Sequence, residues 1–172
     1  MEYAKRYFKE VESIAESIDL NLIEKMVKII LDVKEKKGRL FFIGVGGSAA
    51  NCTHAVNDFR KIGGIECYPP NDNVAELTAR TNDEGWDTVY APWLECSHLN
   101  EKDAVFVFSV GGGSKEKDVS VNLIHALDHA KKVGAKILGI IGRDGGYTGK
   151  MADACVIIPT QSPDTITPHA EA

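Results

Sequence analysis

A chain of 172 residues suits one domain with one sizeable core, because single domains commonly run to roughly 100–200 residues. The net charge of −5 lacks the basic excess of a nucleic-acid-binding protein, so nucleic acid is not expected as a direct partner. The N-terminal residues contain no apolar signal core, and no stretch approaches the roughly 18 apolar residues of a membrane span. We therefore expect a cytosolic protein without membrane contact, folded as a single domain over residues 1–172.

The four cysteines are scattered along the chain without a C-x-x-C spacing, at Cys52, Cys67, Cys96 and Cys155. A disulfide framework or a four-cysteine zinc site would need cysteines in recognisable pairs. Buried, reduced thiols are therefore the favoured interpretation.

Two amphipathic stripes occupy the first 37 residues. Apolar side chains recur at three- and four-residue spacing over residues 2–18, and again from Leu20 to Leu31 after Asp19, which suits a helix N-cap. A minimal strand-helix-strand unit does not require two helices before its first strand. We therefore expect the first helix to pack partly against another subunit, with coverage of the chain's own sheet as the alternative.

The rest of the chain alternates apolar runs with helical patterns. Strands are predicted at 40–43, 65–69, 103–110, 137–141 and 154–158. Between the second and third strands we predict a helix over 74–81, a turn over 82–85, and a helix over 86–99 despite Pro92. This alternation indicates an α/β fold, in which a parallel sheet is covered by helices on both faces and ligands bind at the carboxyl ends of the strands.

Two of the predicted strands run into loops that contain glycine and serine. The first loop is Gly44-Val-Gly-Gly-Ser48, where Ser48 stands at the expected helix N-cap, and the second is Ser109-Val-Gly-Gly-Gly-Ser114. Neither the dinucleotide pattern nor the nucleotide P-loop fits the first loop. Glycine lets the backbone approach an anion, and hydroxyl and N–H groups can bind it. The two loops predict a site for a small phosphorylated ligand, unless the glycines serve turn geometry alone. Its candidate residues are Gly46, Gly47, Ser48, Ser109, Gly111, Gly112, Gly113 and Ser114.

His54 and Asp58 lie four residues apart on the helix after the first loop, so they share one helix face. Together with a third group they can bind zinc, or they can act as an acid/base pair. A plain surface His–Asp pair is the alternative. Asp83, in the predicted turn, can hydrogen-bond sugar hydroxyls, although turn chemistry explains it about as well.

A last helix is predicted to begin with Thr167 as N-cap and Pro168 at the first helical position. His169 lies at its start, where a returning segment can close over the site. A single helical turn has little reason to form, so we expect this helix to continue beyond Ala172, with a frayed tail as the alternative.

These motifs, in this order and spacing, resemble the sugar isomerase (SIS) domain family and, within it, the phosphoheptose isomerases. The resemblance rests on Gly44-Val-Gly-Gly-Ser-Ala-Ala with His54, on 77–83, on 103–114, and on Gly142-Arg-Asp-Gly-Gly146. It implies a three-layer αβα sandwich with a five-stranded parallel sheet. It also implies a homotetramer that uses the N-terminal helices, with active sites at subunit boundaries.

The resemblance further implies individual roles. The family's site helix supplies a histidine zinc ligand and a glutamate that is both zinc ligand and catalytic base, and these positions are His54 and Asp58 here. A glutamine zinc ligand of the family corresponds to His169, and a later acid/base histidine would lie beyond Ala172. The phosphate-binding serines of the family correspond to Ser48, Ser109 and Ser114.

The chain departs from the family pattern in both loops. Val45 replaces an asparagine, and two hydroxyl donors are lost at Val110 and Gly111. Asp58 is one methylene shorter than glutamate, which moves a base by roughly 1 Å, enough to cost about 100-fold in rate. Histidine is a better zinc ligand than glutamine, so we expect a zinc site that is preserved or strengthened, and the loop departures predict a change in affinity or in substrate choice.

Two functions follow. The first is a zinc-dependent aldose–ketose isomerase that converts sedoheptulose 7-phosphate to D-glycero-D-manno-heptose 7-phosphate through an enediol, with Asp58 as base. The second is a non-catalytic SIS module that binds a sugar phosphate or another protein, as in the family members that bind the bacterial replication initiator. The altered second loop favours the module, whereas the set of His54, Asp58 and His169 favours the enzyme.

Overall fold

A computed structural model describes residues 1–160 and 162–171 of the chain. Its sheet has five parallel strands in the order β2-β1-β3-β4-β5. The strands are β1 (Leu40–Ile43), β2 (Cys67–Tyr68), β3 (Ala104–Ser109), β4 (Lys136–Ile141) and β5 (Ala154–Ile157). The helices are α1 (Glu2–Ser17), α2 (Leu20–Glu35), α3 (Gly47–Lys61), α4 (Val74–Glu84), α5 (Ala91–Cys96), α6 (Val121–Val133), α7 (Gly146–Met151) and α8 (Ile166–Glu171). The predicted parallel sheet of five strands is confirmed.

Alternate residues of each strand enter separate hydrophobic clusters on the two faces of the sheet. Phe41 and Val105 pack with side chains of α5 and α6. Phe42 and Phe106 pack on the other face with side chains of α2 and α3, and their rings are stacked with centroids 5.2 Å apart. A strand that is buried on both faces needs an unbroken apolar run, which is what 104–108 provides. The result is the predicted three-layer αβα sandwich.

The two N-terminal helices form as predicted. Asp19 caps α2, because its Oδ1 accepts a hydrogen bond of 2.9 Å from the backbone N–H of Asn21. Both helices keep large apolar side chains exposed, at Tyr3, Phe8, Val11, Leu20, Ile23, Val27 and Leu31. Neither they nor any other helix in the described part of the chain is long and apolar enough to span a membrane.

The region between β2 and β3 differs from the prediction. Helix α4 continues to Glu84, so the predicted turn is helical and Asp83 lies in the last turn of α4. Gly85 then stops the helix with a φ of 91°, a conformation that glycine adopts without steric cost. The predicted helix over 86–99 is split into a 3₁₀ turn, Trp86–Thr88, and α5, because Pro92 is tolerated only in the first turn of a helix.

The C-terminal segment begins its helical structure earlier than predicted. A 3₁₀ turn over Pro163–Thr165 leads into α8, which starts at Ile166, so Thr167 is not its N-cap. Ser162 takes the capping role instead, because its Oγ accepts the N–H of Asp164 at 3.4 Å. The predicted continuation of this helix beyond Ala172 lies outside the described residues.

The cysteines are free thiols; Cys52 and Cys67 are buried as predicted, and Cys155 is half-buried. Burial raises the pKa of the Cys52 thiol to about 12 and that of the Cys67 thiol to about 11, so both are protonated and unreactive at neutral pH. The prediction is wrong for Cys96, which is exposed at the end of α5.

The strand order reverses between β1 and β3. The chain passes from β1 to β2 on one side and then returns to place β3 on the other side of β1. In open α/β sheets, ligands bind in the crevice at the carboxyl ends of the strands at such a reversal. The loops that follow β1 and β3 therefore meet at the expected binding position, and a side chain at Gly44 would begin only 2.9 Å from the carbonyl oxygen of Phe108.

Candidate active site

The loop after β1 presents the N-terminus of α3 to the crevice. Gly46, not Ser48, is the N-cap, since its φ of 65° suits glycine and α3 starts at Gly47. Ser48 lies in the first turn of the helix and is only 3% exposed. Tyr90 fixes the loop from the opposite layer by donating its hydroxyl to the carbonyl oxygen of Gly44 at 2.6 Å. Burial raises the pKa of the Tyr90 hydroxyl, so it keeps this proton.

A carboxylate from the far end of the chain lies against this first loop. Oε1 of Glu171 is 3.5 Å from Oγ of Ser48, and its backbone carbonyl accepts a hydrogen bond of 3.1 Å from Nδ2 of Asn51. A side chain at Gly47 would begin 2.6 Å from Oε1 of Glu171. The N-terminus of a helix attracts negative charge, so α3 stabilises this carboxylate. No motif in the sequence indicates a role for Glu171 in the site.

The loop after β3 folds around the oxygen of Ser109. Oγ of Ser109 accepts the N–H groups of Gly112, at 3.0 Å, and Gly111, at 3.4 Å. Oγ of Ser114 accepts the N–H of Lys117 at 3.3 Å. Because both serine oxygens act as acceptors within the loop, the proton of each hydroxyl is available to a ligand.

The second loop interlocks with the glycine turn that follows β4. The hydroxyl of Thr148 donates to the carbonyl of Gly112 at 2.8 Å, and the N–H of Tyr147 donates to the carbonyl of Gly113 at 2.8 Å. A side chain at Gly112 would overlap the carbonyl oxygen of Gly145. Close backbone packing therefore requires glycine at 112, which supports the turn-geometry interpretation for this one position.

A cavity of about 750 Å³ opens beside the second loop. Gly111, Gly113 and Ser114 form part of its wall. Its charged lining comprises four basic side chains against two acidic ones, namely Lys115, Lys117, Arg143 and Lys150 against Glu116 and Asp144. This is a local positive excess in a chain whose net charge is −5, and it favours an anionic ligand. The volume lies within the range of roughly 300–1,000 Å³ that is typical of small-molecule sites.

Lys115 is committed to a pair at the rim of this cavity. Its Nζ lies 3.0 Å from Oδ2 of Asp128 and 4.5 Å from the ring centre of Tyr147, whose hydroxyl also donates to Asp128. Partial burial raises the pKa of Asp128, but the hydrogen bonds from Tyr147 and Lys115 outweigh it and hold that pKa below its usual value. Lys115 is therefore largely neutralised, and Lys117, Arg143 and Lys150 supply the positive charge.

His54 and Asp58 pair as predicted, whereas His169 lies elsewhere. Nε2 of His54 is 3.2 Å from Oδ2 of Asp58, and the two side chains are 79% and 45% exposed. His169 is buried against α1, where Nε2 is 2.9 Å from Oε2 of Glu10 and the ring stacks on Tyr7 with centroids 4.6 Å apart. The structure therefore does not bring His169 to the other two, because α1 supplies it with an acidic partner.

Within residues 1–160 and 162–171, no group of three or more His, Cys, Asp or Glu side chains is arranged to bind a metal ion. Catalytic zinc sites use three protein ligands and structural sites use four. The pair of His54 and Asp58 alone does not meet that requirement. Zinc binding stays a prediction that needs a donor from another subunit or from beyond the described residues.

Glu10 is a second carboxylate that the sequence analysis assigned no role. Its Oε2 accepts the hydroxyl of Thr165 at 2.7 Å as well as contacting His169. These hydrogen bonds, from His169 first and Thr165 second, hold the pKa of Glu10 below its usual value. The contact attaches α8, and with it Glu171, to α1.

Asp83 does not belong to either loop. It is exposed in the last turn of α4, where its Oδ1 accepts a hydrogen bond of 2.7 Å from Nδ2 of Asn82. It does not line the cavity beside the second loop. Its predicted contact with sugar hydroxyls stays a prediction.

The chain belongs to the SIS domain family, which matches residues 6–142. It is 32% identical over 160 residues to a probable phosphoheptose isomerase of Thermoplasma volcanium, covering 90% of this chain and 78% of that protein. It is 27% identical over 165 residues to the phosphoheptose isomerase of Helicobacter pylori strain P12, covering 91% of this chain and 81% of that protein. A phosphoheptose isomerase structure from Francisella tularensis has the same fold, with a TM-score of 0.83 and 20% identity over 99% of this chain and 89% of that one.

Proposed function

We propose that this chain is an enzyme, a sugar-phosphate isomerase that converts sedoheptulose 7-phosphate to D-glycero-D-manno-heptose 7-phosphate. The observation that carries the proposal is the positively lined cavity beside the serine- and glycine-bearing loop at the carboxyl end of β3, one of the two strands that flank the reversal point of the sheet. Its relatives named as phosphoheptose isomerases match most of the chain and support the same class of reaction.

The two loops bind opposite ends of the substrate. The hydroxyl of Ser114, which lines the cavity, donates to the phosphate, and the basic side chains of the lining favour its charge. Ser109 is the second proposed donor of the same loop, although it does not line the cavity. The sugar then extends towards Ser48 in the first loop. Isomerisation moves a proton between two neighbouring carbons through an enediol, so a carboxylate must take the proton from the carbon beside the carbonyl and an acid must return it.

Asp58 is the proposed base, and its position indicates that it serves a neighbouring subunit. It lies eleven residues after Gly47, which is roughly 16 Å along a helix that rises 1.5 Å per residue. Its pairing with His54 and the exposure of both side chains leave them accessible to a second chain. Glu171, already at the first loop of its own chain, is the competing carboxylate.

Turnover of sedoheptulose 7-phosphate, followed by NMR of the aldose product, tests the proposal. Replacing Asp58 with Asn should lower kcat by about 100- to 10,000-fold, the usual contribution of a general base. Asp87→Asn, an exposed carboxylate on the 3₁₀ turn before α5, is the matched control and should keep full activity. Full activity in Asp58→Asn together with loss in Glu171→Gln would transfer the role of base to Glu171.

Mixed oligomers test whether the site is shared between subunits. Asp58→Asn and Ser114→Ala are each expected to be nearly inactive alone, because each lacks one half of the site. If the halves come from different chains, mixing the two variants after partial denaturation restores measurable turnover. Absence of any recovery, with mixed oligomers demonstrated by mass, would confine the site to one chain.

We also propose a homotetramer built on α1 and α2. The apolar side chains that both helices leave exposed support it, since contiguous apolar surface of this kind typically marks an interface. Sedimentation analysis of the intact chain should give four times the chain mass of 18.7 kDa. A monomer at micromolar concentration would contradict the proposal.

A non-catalytic sugar-phosphate-binding module is the alternative. The loss of two hydroxyls from the second loop and the lack of a third metal donor in the described residues favour it. The outcome that would establish it is saturable binding of sedoheptulose 7-phosphate with no aldose product, in the presence of zinc.

A further inference from the structure

Among the described residues, Arg143 has no hydrogen-bond or ion-pair partner at the cavity beside the second loop. The chain has five arginines, and Arg6, Arg39, Arg60 and Arg80 each form a hydrogen bond or ion pair. Over residues 1–160 and 162–171, Arg143 makes neither, although it lines the cavity. A guanidinium carries five N–H donors in a planar fork that matches phosphate oxygens, so an unpaired one beside a hydroxyl-bearing loop is equipped to bind such a group.

The backbone holds Arg143 in an unusual conformation. Its φ is 54°, in the left-handed region that non-glycine residues rarely adopt. The residue comes two positions after the end of β4, at the same edge of the sheet as both glycine loops. This turn directs the side chain back over the second loop, where Nη1 is the nearest atom to position 111.

At position 111 the second loop lacks a serine hydroxyl. The resembling family carries serine there, whereas this chain has glycine. Unlike Gly112 and Gly113, Gly111 has no positive φ, and a side chain at 111 would meet nothing closer than Nη1 of Arg143 at 3.8 Å. Packing therefore does not require glycine at 111. The space that a serine side chain would enter borders the guanidinium.

We propose that Arg143 binds the phosphate group of the substrate in place of the hydroxyl that a serine at position 111 would supply. This inference rests on the proposed function for the identity of the ligand. Arg143 replaces a neutral donor with a charged, bidentate one. The site therefore depends more on the charge of the phosphate than a loop of hydroxyls would.

Inorganic phosphate is the probe, and its dissociation constant is obtained from the rise in melting temperature of the intact chain with phosphate concentration. Arg143→Gln should raise that constant about 10- to 100-fold, as expected when a hydrogen bond between charged groups is lost. Arg143→Asn provides a second variant, because asparagine adopts a positive φ more readily than glutamine and keeps the turn intact. Lys132→Gln, which removes an exposed positive charge from the last turn of α6, is the matched control and should bind phosphate like the original chain.

The double variant Gly111→Ser/Arg143→Gln separates a direct role from a general charge effect. Its serine hydroxyl enters the space that the guanidinium leaves, so this variant should recover part of the lost affinity for phosphate. Because the added serine restores no positive charge, such a recovery would be due to the hydroxyl itself. No recovery would overturn the exchange of arginine for hydroxyl. Unchanged phosphate binding in both Arg143 variants would overturn the whole inference while leaving the proposed isomerase intact. If the original chain shows no phosphate binding at all, both the inference and the proposed function fail.

Discussion

The two glycine loops share a local pattern but meet opposite charges. Each follows a buried strand and combines glycine with serine, at Gly46, Gly47 and Ser48 in the first and at Ser109, 111–113 and Ser114 in the second. The first loop faces the carboxylate of Glu171, whereas the second faces a cavity whose lining has more basic than acidic side chains. Glu171, Arg143 and Lys150 come from segments distant in sequence and supply much of this difference, whereas Lys117 directly follows the second loop.

One sheet edge therefore holds two kinds of anion contact. A negative side chain on the N-terminus of α3 already satisfies the first loop, so a substrate phosphate would have to displace it. The second loop keeps its serine protons and its basic side chains available. This difference supports the proposed placement of the phosphate at the second loop and of the carbonyl end of the sugar at the first.

The largest effect we expect comes from the different roles of two adjacent glycines. Gly112→Ala should lower the free energy of unfolding by at least about 3 kcal/mol, because a positive φ and overlap with a backbone carbonyl act together. Gly111→Ala, its matched control, should change stability by less than about 0.5 kcal/mol, since it meets no atom closer than 3.8 Å. Urea unfolding of the two variants measures both. Equal losses would mean that the second loop does not interlock with the turn after β4.

Most of the fold can be predicted from the sequence, because its signals are local. The apolar run 104–108 and the stripes of α1 and α2 each fix one element without reference to the rest of the chain. Misplaced boundaries lie where local signals compete, as at the end of α4, or where a tertiary contact is made, as from Thr165 to Glu10. Helix α4 runs on to Glu84 against the local turn signal, and the helical structure of the C-terminal segment begins at Pro163.

The site was predicted only in part, because its charged groups come from distant positions. Glu10 and His169 are 159 residues apart, and Ser48 and Glu171 are 123 apart, so no spacing rule connects them. Spacing did find His54 and Asp58, which are one helical turn apart. The same reasoning assigned His169 to zinc without anticipating that Glu10 would bind it.

Removing the negative charge at the first loop should have a moderate effect on the free energy of unfolding. Glu171→Gln removes the negative charge from the N-terminus of α3 and should lower the free energy of unfolding by about 0.3–1 kcal/mol. Glu35→Gln removes a carboxylate from the C-terminal end of α2, where the helix dipole opposes it, so this control should leave stability unchanged or slightly raised. Denaturant unfolding at low salt measures the pair. Identical changes in both would mean that α3 does not stabilise Glu171.

The smallest effect on stability is expected from the contact between Glu10 and His169, which attaches α8, and with it Glu171, to α1. Glu10→Gln weakens the attachment of α8 to α1, and an ion pair near the protein surface contributes little to stability. Because the pKa of Glu10 in the folded chain is below its ordinary value of 4.5, its contribution is complete above that pH and is lost as the pH falls through the lowered pKa. The melting temperature of the variant should therefore lie below that of the original chain at pH 7, and the two should converge below pH 4.5.

Glu12→Gln replaces an exposed carboxylate on the same helix and is the control. Its melting temperature should match that of the original chain at pH 7 and at low pH, so there is no gap that could close. A gap between Glu10→Gln and the original chain that persists at low pH would mean that the glutamate acts through packing and not through its charge. Convergence would instead make the ionised Glu10 the group that holds His169. In that case the position of Glu171 at the first loop depends on α1, through the contact between Glu10 and α8.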